Sequence, residues 1–233
     1  METVIPSWKL PTVAVAGESG VYPVRRIFCV GRNYAAHARE MGSNPDREPP
    51  FFFSKFPDSI ASNGSTIAYP PETSNCHYEV ELVLAIGREG FRIPAAAAQD
   101  HIYGYTVGLD MTRRDLQQAA REQGRPWDVG KNFPQSAPMS AIQPAARIGH
   151  PRAGAIWLEV DGERKQEADL KDMIWSPDEV VAHLSRLYTL LPGDLIMTGT
   201  PAGVGPVAPG QHLLGHIDGL EDLSIRIGPG PDQ

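Results

Sequence analysis

The chain has 233 residues, of which 41% are hydrophobic, and a formal net charge of −7 with a predicted isoelectric point near 5.5. That length allows one domain with a sizeable core, removing roughly 70% of the unfolded surface from water. The acidic balance offers no basic field for a nucleic acid or an anionic membrane surface, and no apolar run approaches the ~20 residues that cross a bilayer, so neither partner is expected. An anionic substrate must then be met by a local cluster of Arg, Lys or metal.

Glycine (23) and proline (22) are scattered along the chain, which predicts many short elements. In chain order, residues 26–30 read as a strand, 33–41 as a helix and 50–53 as a strand. Two longer apolar runs, 76–86 and 102–110, read as strands on either side of a helix over 94–101. Helices are expected over 112–122 and 177–188, with Thr112 and Ser176 as their N-caps. Strands over 155–160 and 194–198 follow, and Leu223-x-Ile225-x-Ile227 alternates as a terminal strand with one wet face. Strands and helices do not alternate regularly, so a mixed-sheet α+β fold is expected and a doubly wound parallel sheet is not. The two cysteines, Cys29 and Cys76, lie in or beside apolar runs and read as buried thiols. With so few cysteines and no cationic-then-apolar leader opening the sequence, a reducing cytoplasm is expected.

In Cys76-His77-Tyr78-Glu79-Val80-Glu81-Leu82, the carboxylates of Glu79 and Glu81 share one strand face while Val80, Leu82 and Leu84 take the other. Two readings are open. The pair is the solvent-facing half of an amphipathic edge, or it is a poorly solvated pair of like charges that a bound cation relieves. Asp110, ending the next apolar run, supplies a third carboxylate. An all-oxygen set without thiolates or histidine-rich spacing suits Mg²⁺, Mn²⁺ or Ca²⁺ over zinc or copper. His77 shares the glutamate face, either as a partner of the acids or as an ordinary hydrogen-bonded histidine. His37 and Glu40 lie three apart on a short predicted helix, where the carboxylate can orient the imidazole or where both are simply solvated. Arg32, Lys55, Arg113 and Arg114 are the candidate cations for a substrate carboxylate. Gly199-Thr200-Pro201 reads as a turn after a strand; no Lys-Ser/Thr follows its glycines, so it is no nucleotide P-loop.

Four segments carry more together than any one motif does: Gly31-Arg32-Asn33-Tyr34-Ala35-Ala36-His37-Ala38-Arg39-Glu40-Met41, Pro50-Phe51-Phe52-Phe53-Ser54-Lys55, Asp110-Met111-Thr112-Arg113-Arg114-Asp115-Leu116-Gln117, and Pro192-Gly193-Asp194-Leu195-Ile196-Met197-Thr198-Gly199-Thr200-Pro201-Ala202-Gly203-Val204-Gly205. In this order the chain resembles the fumarylacetoacetate hydrolase family over about residues 24–227. Residues 113–117, with Gly124-Arg125-Pro126-Trp127-Asp128, resemble its fumarylpyruvate-cleaving branch.

The resemblance implies a β-rich mixed-sheet roll with short helices and a helical lid. It implies one catalytic domain over 24–233, an N-terminal extension over 1–23 packed on it, and a homodimer. It further implies a divalent ion, Mg²⁺, Mn²⁺ or Ca²⁺, on Glu79, Glu81 and Asp110, and hydrolysis of the C–C bond of a 1,3-diketo acid. In that chemistry His37 and Glu40, on a lid hinged by Gly31, Gly42 and Pro45, activate water, and Lys131, helped by Gln117, stabilises the oxyanion. Arg32, Arg114, Gln117 and Thr200 would bind the anionic oxo-acid. Family members nearby decarboxylate oxaloacetate or related oxo-diacids without an attacking water, which is the alternative reaction; a non-catalytic metal-binding protein on the same fold is a further one. The chain departs from the family pattern after Lys55, where Phe56-Pro57 stands in place of an immediate proline, and after Lys131, where Asn132 replaces a frequent glycine.

Overall fold

A computed structural model describes residues 3–40 and 48–230. The apolar run that carries the two glutamates is broken: Cys76–Tyr78 and Val80–Ile86 are separate strands, with Glu79 at the break. Val80–Ile86 runs through the interior of an eight-stranded sheet. From one edge the order is Phe51–Lys55, Arg26–Gly31, Asp194–Met197, Val80–Ile86, Ile102–Leu109, Ala137–Met139 and Ile60–Ser62, with Gln143–Pro144 also pairing Ile102–Leu109. The sheet is mixed: Asp194–Met197 is parallel to Arg26–Gly31, and Ala137–Met139 to Ile60–Ser62, while Val80–Ile86 is antiparallel to both its neighbours.

Every residue of Val80–Ile86 is buried, because the strand divides two cores. Val80, Leu82, Leu84 and Ile86 join the larger one, with Val180, Val181 and Leu184 from a covering helix. Val83 and Ala85 join the smaller one, with Val13, Tyr22, Ile27 and Leu195. Each fully buried Val, Leu or Ile stabilises by about 1.5–3 kcal/mol. The solvent-facing edge, one of the two readings of the glutamate pair, is thereby excluded. The other sheets are a five-stranded one, Glu163–Asp169, Ala155–Val160, His212–Ile217, Leu223–Gly228 and Thr66–Ala68, and a three-stranded one, Thr112–Arg113, Cys76–Tyr78 and Gly205–Pro206. A hairpin of Thr12–Ala14 and Val21–Pro23 buries Val13 and Tyr22 in the smaller core.

The α-helices are short: α1 Ala35–Glu40, α2 Arg114–Glu122, α3 Asp128–Lys131, α4 Ala145–Ile148 and α5 Pro177–Leu187. The α5 start is as expected, with Ser176 and Glu179 capping each other's backbone N–H groups and Pro177 in the first turn. The start of α2 is not. Thr112 lies in a strand, Arg113 precedes the helix without a side-chain cap, and the Thr112 hydroxyl donates to the Asp110 carbonyl at 3.0 Å. Residues 94–101 wind more tightly than expected, as 3₁₀ turns over Ala95–His101. The predicted end of the first helix at Met41, and the proposed hinge residues Gly42 and Pro45, lie outside the described residues.

Candidate active site

Strand pairing brings the three carboxylates together. Val80 faces Leu109 and Glu81 faces Gly108 across an antiparallel ladder, and the Asp110 N–H closes its end by donating to the Glu79 carbonyl at 2.9 Å. Glu79, Glu81 and Asp110 are all buried, and each offers an oxygen within 4.8 Å of the others. Three buried carboxylates at that spacing need cations.

Three side-chain cations surround them. Arg114 donates to Glu79 and, at 2.6 Å, to the Gln117 side-chain oxygen. Lys131 Nζ donates to Glu79 Oε2 at 2.8 Å, Asp110 Oδ2 at 2.7 Å and Thr112 Oγ1 at 2.7 Å. Lys55 Nζ lies 2.9 Å from Asp110 Oδ1, but its protons go to Ser136 Oγ and the carbonyls of Met111 and Lys131. Asp110 Oδ1 is consequently buried without a hydrogen-bond donor. Burial opposes the charge of Glu79, yet Lys131 and Arg114 outweigh it and hold this carboxyl below the usual range. Burial, and then Asp110 and Glu79, push Glu81 well above it, although one Glu81 oxygen accepts from the Gly199 N–H at 2.7 Å. For Lys131, burial favours the neutral amine, and Asp110 and Glu79 more than offset it. An undonated Asp110 oxygen beside a carboxyl destabilised by its neighbours is a donor set that fits a hard divalent cation.

Besides the triad, Arg32, His37, Arg114, Gln117, Lys131 and Thr200 line the same cleft, which encloses about 530 Å³ including open space at its mouth. His37 is buried and its Nδ1 lies 3.3 Å from Glu40 Oε2. Glu40 in turn accepts from the Gly203 N–H at 3.2 Å, so α1 is tied to the loop after Asp194–Met197. Gly203 has φ +94°, and a Cβ there would sit 2.1 Å from the Lys165 carbonyl, so only glycine fits. Buried Asn33 fixes the other end of α1: its amide donates to the carbonyls of Trp175 and Thr198 at 2.8 Å and accepts from the Trp175 N–H.

Two of the candidate cations do not serve the cleft. Lys55 is fully buried and spent on Asp110 and its neighbours, and Arg113 packs 4.6 Å over the Phe133 ring. His77 resolves into a partner of the arginine: Asn75 Oδ1 is 2.8 Å from Nε2, and Arg114 Nε donates to Nδ1 at 3.4 Å. Burial and then Arg114 push this imidazole down to about 4, so it is neutral at pH 7.

Sequence reasoning missed Gln166, whose amide donates to Thr200 Oγ1 at 2.8 Å while its oxygen accepts from the Val80 N–H, linking the threonine loop to the glutamate strand. It also missed Arg121 and the aromatic wall of Phe51, Phe53 and Trp127. Arg121 was findable, since it lies two helical turns beyond Arg114 on the same predicted face.

The fold, the buried triad and the His37–Glu40 pair define a family, and residues 26–228 match its model, "Fumarylacetoacetate (FAA) hydrolase C-terminal": the chain belongs to the fumarylacetoacetate hydrolase family. It is 49% identical over 191 residues to a fumarylpyruvate hydrolase of Ralstonia sp, covering 81% of this chain and 99% of that protein. The crystal structure of fumarylpyruvate hydrolase from Pseudomonas aeruginosa, in complex with Mn²⁺ and pyruvate, superposes with a TM-score of 0.96 at 52% identity, covering 98% of this chain and 100% of that one. A mitochondrial oxaloacetate tautomerase of Arabidopsis thaliana is 43% identical over 202 residues, covering 87% and 90%.

Proposed function

We propose that this protein hydrolyses fumarylpyruvate, or a close 1,3-diketo diacid, to fumarate and pyruvate. The observation that carries this reading is a buried carboxylate triad sharing one cleft with a His37 whose Nδ1 is held by Glu40. Glu79, Glu81 and Asp110 would hold a divalent cation, Mn²⁺ or Mg²⁺, and when bound that ion supplies a Lewis acid for the pyruvyl end of the substrate. That the Pseudomonas relative is in complex with Mn²⁺ and pyruvate supports a divalent cation and a pyruvyl-bearing substrate here.

The chain's own groups account for the rest. With Glu40 on Nδ1, the other nitrogen of His37 is available to take a proton from water, and Glu40 stabilises the imidazolium that results. Hydroxide adds to the acyl carbonyl remote from the pyruvyl carboxylate, and the bond from that carbon to the methylene breaks. The acyl half leaves as fumarate, and the methylene takes up a proton to give pyruvate. Lys131 is the candidate oxyanion donor. Its ammonium, held beside the triad by Glu79, Asp110 and Thr112, lines the cleft in which the oxyanion would develop. Thr200, held by Gln166, and Gln117, held by Arg114, would bind the oxo-acid end, and their shared lining of the cleft supports that reading.

This reading takes residues 24–233 as the catalytic domain and 1–23 as an extension packed on it, which the burial of Val13 and Tyr22 supports. It also takes the enzyme as a cytoplasmic homodimer of gentisate-type aromatic breakdown; no helix of the described residues is long and apolar enough to cross a membrane. The deciding experiment incubates metal-loaded protein with fumarylpyruvate, maleylpyruvate, acetylpyruvate and oxaloacetate and identifies products by NMR. Fumarate plus pyruvate supports the hydrolase. Reaction of oxaloacetate alone, by CO₂ release or tautomer exchange, sinks it.

A further inference from the structure

Helix α2 presents Arg114, Gln117, Gln118 and Arg121 to the cleft, at spacings of three, four and seven residues that place them on one helical face. Arg114 is anchored on Glu79, so the Arg114 end of the helix stands at the triad. At a rise of 1.5 Å per residue, Arg121 lies about 10 Å further out along the axis. Arg32 lines the same cleft, with its guanidinium 5.5 Å over the Phe51 ring. Its backbone sits at φ +59°, a conformation that a non-glycine residue adopts only when its surroundings demand it. The Phe51 ring lies so close to Gly31 that a Cβ there would stand 1.9 Å from it, and Trp127 meets the same ring edge-on at 5.4 Å. Phe51, Phe53 and Trp127, packed edge to face, thus form an aromatic wall in the cleft that Arg32 and Arg121 also line.

We infer that α2 is a ruler: Arg121, together with Arg32, binds a second carboxylate of the substrate, so that the cleft selects oxo-diacids as long as fumarylpyruvate over shorter diacids and monoacids. The inference rests on the proposed orientation, with the pyruvyl end at the triad. The terminal carboxyl carbons of an extended fumarylpyruvate, joined by six bonds of about 1.5 Å, are roughly 7–8 Å apart. A guanidinium hydrogen bond at the outer end covers the remaining distance to Arg121. Burial and then the charge of Arg121 disfavour the Arg32 cation while Glu48 favours it, so the two guanidiniums are near enough to feel each other across the cleft. The aromatic wall gives the carbon chain an apolar surface to lie against, and oxaloacetate is too short to reach from the triad to Arg121.

The test uses two ligands that lack the carbonyl to be attacked: 2-oxoheptanedioate and 2-oxoheptanoate, alike except for the distal carboxylate. Binding to Mn²⁺-loaded protein is measured by calorimetry for wild type, Arg121→Met and Arg121→Lys. Wild type should prefer the diacid by roughly 10–100-fold, the worth of a charge-assisted pair. Arg121→Met should reduce that preference to within about threefold without changing affinity for the monoacid, and Arg121→Lys should restore part of it. No preference in wild type, a preference surviving in Arg121→Met, equal weakening of both ligands, or no binding of either overturns the ruler. Because neither ligand is cleaved, a protein that passes here yet leaves fumarylpyruvate intact keeps the ruler and loses the proposed reaction.

Discussion

Lys55 Nζ lies 2.9 Å from Asp110 Oδ1 with neither side chain exposed to solvent. Sequence alone suggested a substrate-binding cation at Lys55; in the fold it is a fixed counter-charge beneath the triad. Replacing it by methionine leaves Asp110 buried with one cation fewer, and breaking such a pair costs about 3–5 kcal/mol. Lys55→Met should lower the thermal midpoint of the metal-free protein by several degrees, and added Mn²⁺ should raise the midpoint of the variant more than that of wild type. Equal Mn²⁺-induced shifts in scanning calorimetry would remove Lys55 from the electrostatics of the centre.

Glu81 shows the opposite balance, since burial, Asp110 and Glu79 all disfavour its charge. Glu81→Gln keeps an acceptor for the Gly199 N–H and removes one like charge. The metal-free variant should be at least as stable as wild type while binding Mn²⁺ more weakly, by roughly tenfold or more. Unchanged affinity in a calorimetric titration would take Glu81 out of the donor set.

His37→Ala should retain metal binding and lose about 10²–10⁴-fold in turnover, the usual worth of a positioned general base. Glu40→Gln should cost less, because a glutamine oxygen can still accept from Gly203 and hold α1 in place. The double variant should resemble His37→Ala alone, as residues acting as one unit do. Turnover within a few-fold of wild type in all three would move the base elsewhere.

His77 makes stability pH-dependent. Its folded value is pushed down to about 4 from 6.5, so the unfolded chain takes up a proton that the folded one refuses. Stability contributed by the neutral ring is complete above about 6.5 and is lost as pH falls from there towards 4. Half-exposed as it is, the effect should be about 1–2 kcal/mol in metal-free protein. His77→Asn should flatten that part of the stability profile, measured by urea unfolding between pH 7 and 4.5; an unaltered slope would count against it.

Neither thiol should be reactive. Burial pushes Cys76 up to about 12 and Cys29 well above its ordinary value. At pH 8 an aromatic disulfide reagent should titrate no thiol in folded protein and both in denaturant, and alkylating reagents should leave turnover intact. Loss of activity on alkylation would reopen a role for one of them.

The metal-ligand candidates were legible because alternation along one strand and the end of the next are local facts of sequence. Thr112 was misread as a cap because its hydroxyl is claimed by Lys131, a partner nineteen residues away that no local pattern announces. Lys55 was misplaced for the same reason: its partners Asp110, Met111 and Ser136 come from other elements. Gln166 had no signal at all, since its role arises only where the strand Glu163–Asp169 passes between Val80 and Thr200.

The strand Val80–Ile86, buried on both faces, also decides how the centre fails. Its amides are screened by two cores and by ladders on either side, so they should exchange with deuterium only when the whole molecule opens. The carboxylates at its end are therefore as durable as the fold itself, whereas α1, held by Asn33 at one end and Glu40 at the other, can open without them. On warming, exchange at α1 should rise first and turnover fall with it, while the cation site persists until the protein unfolds.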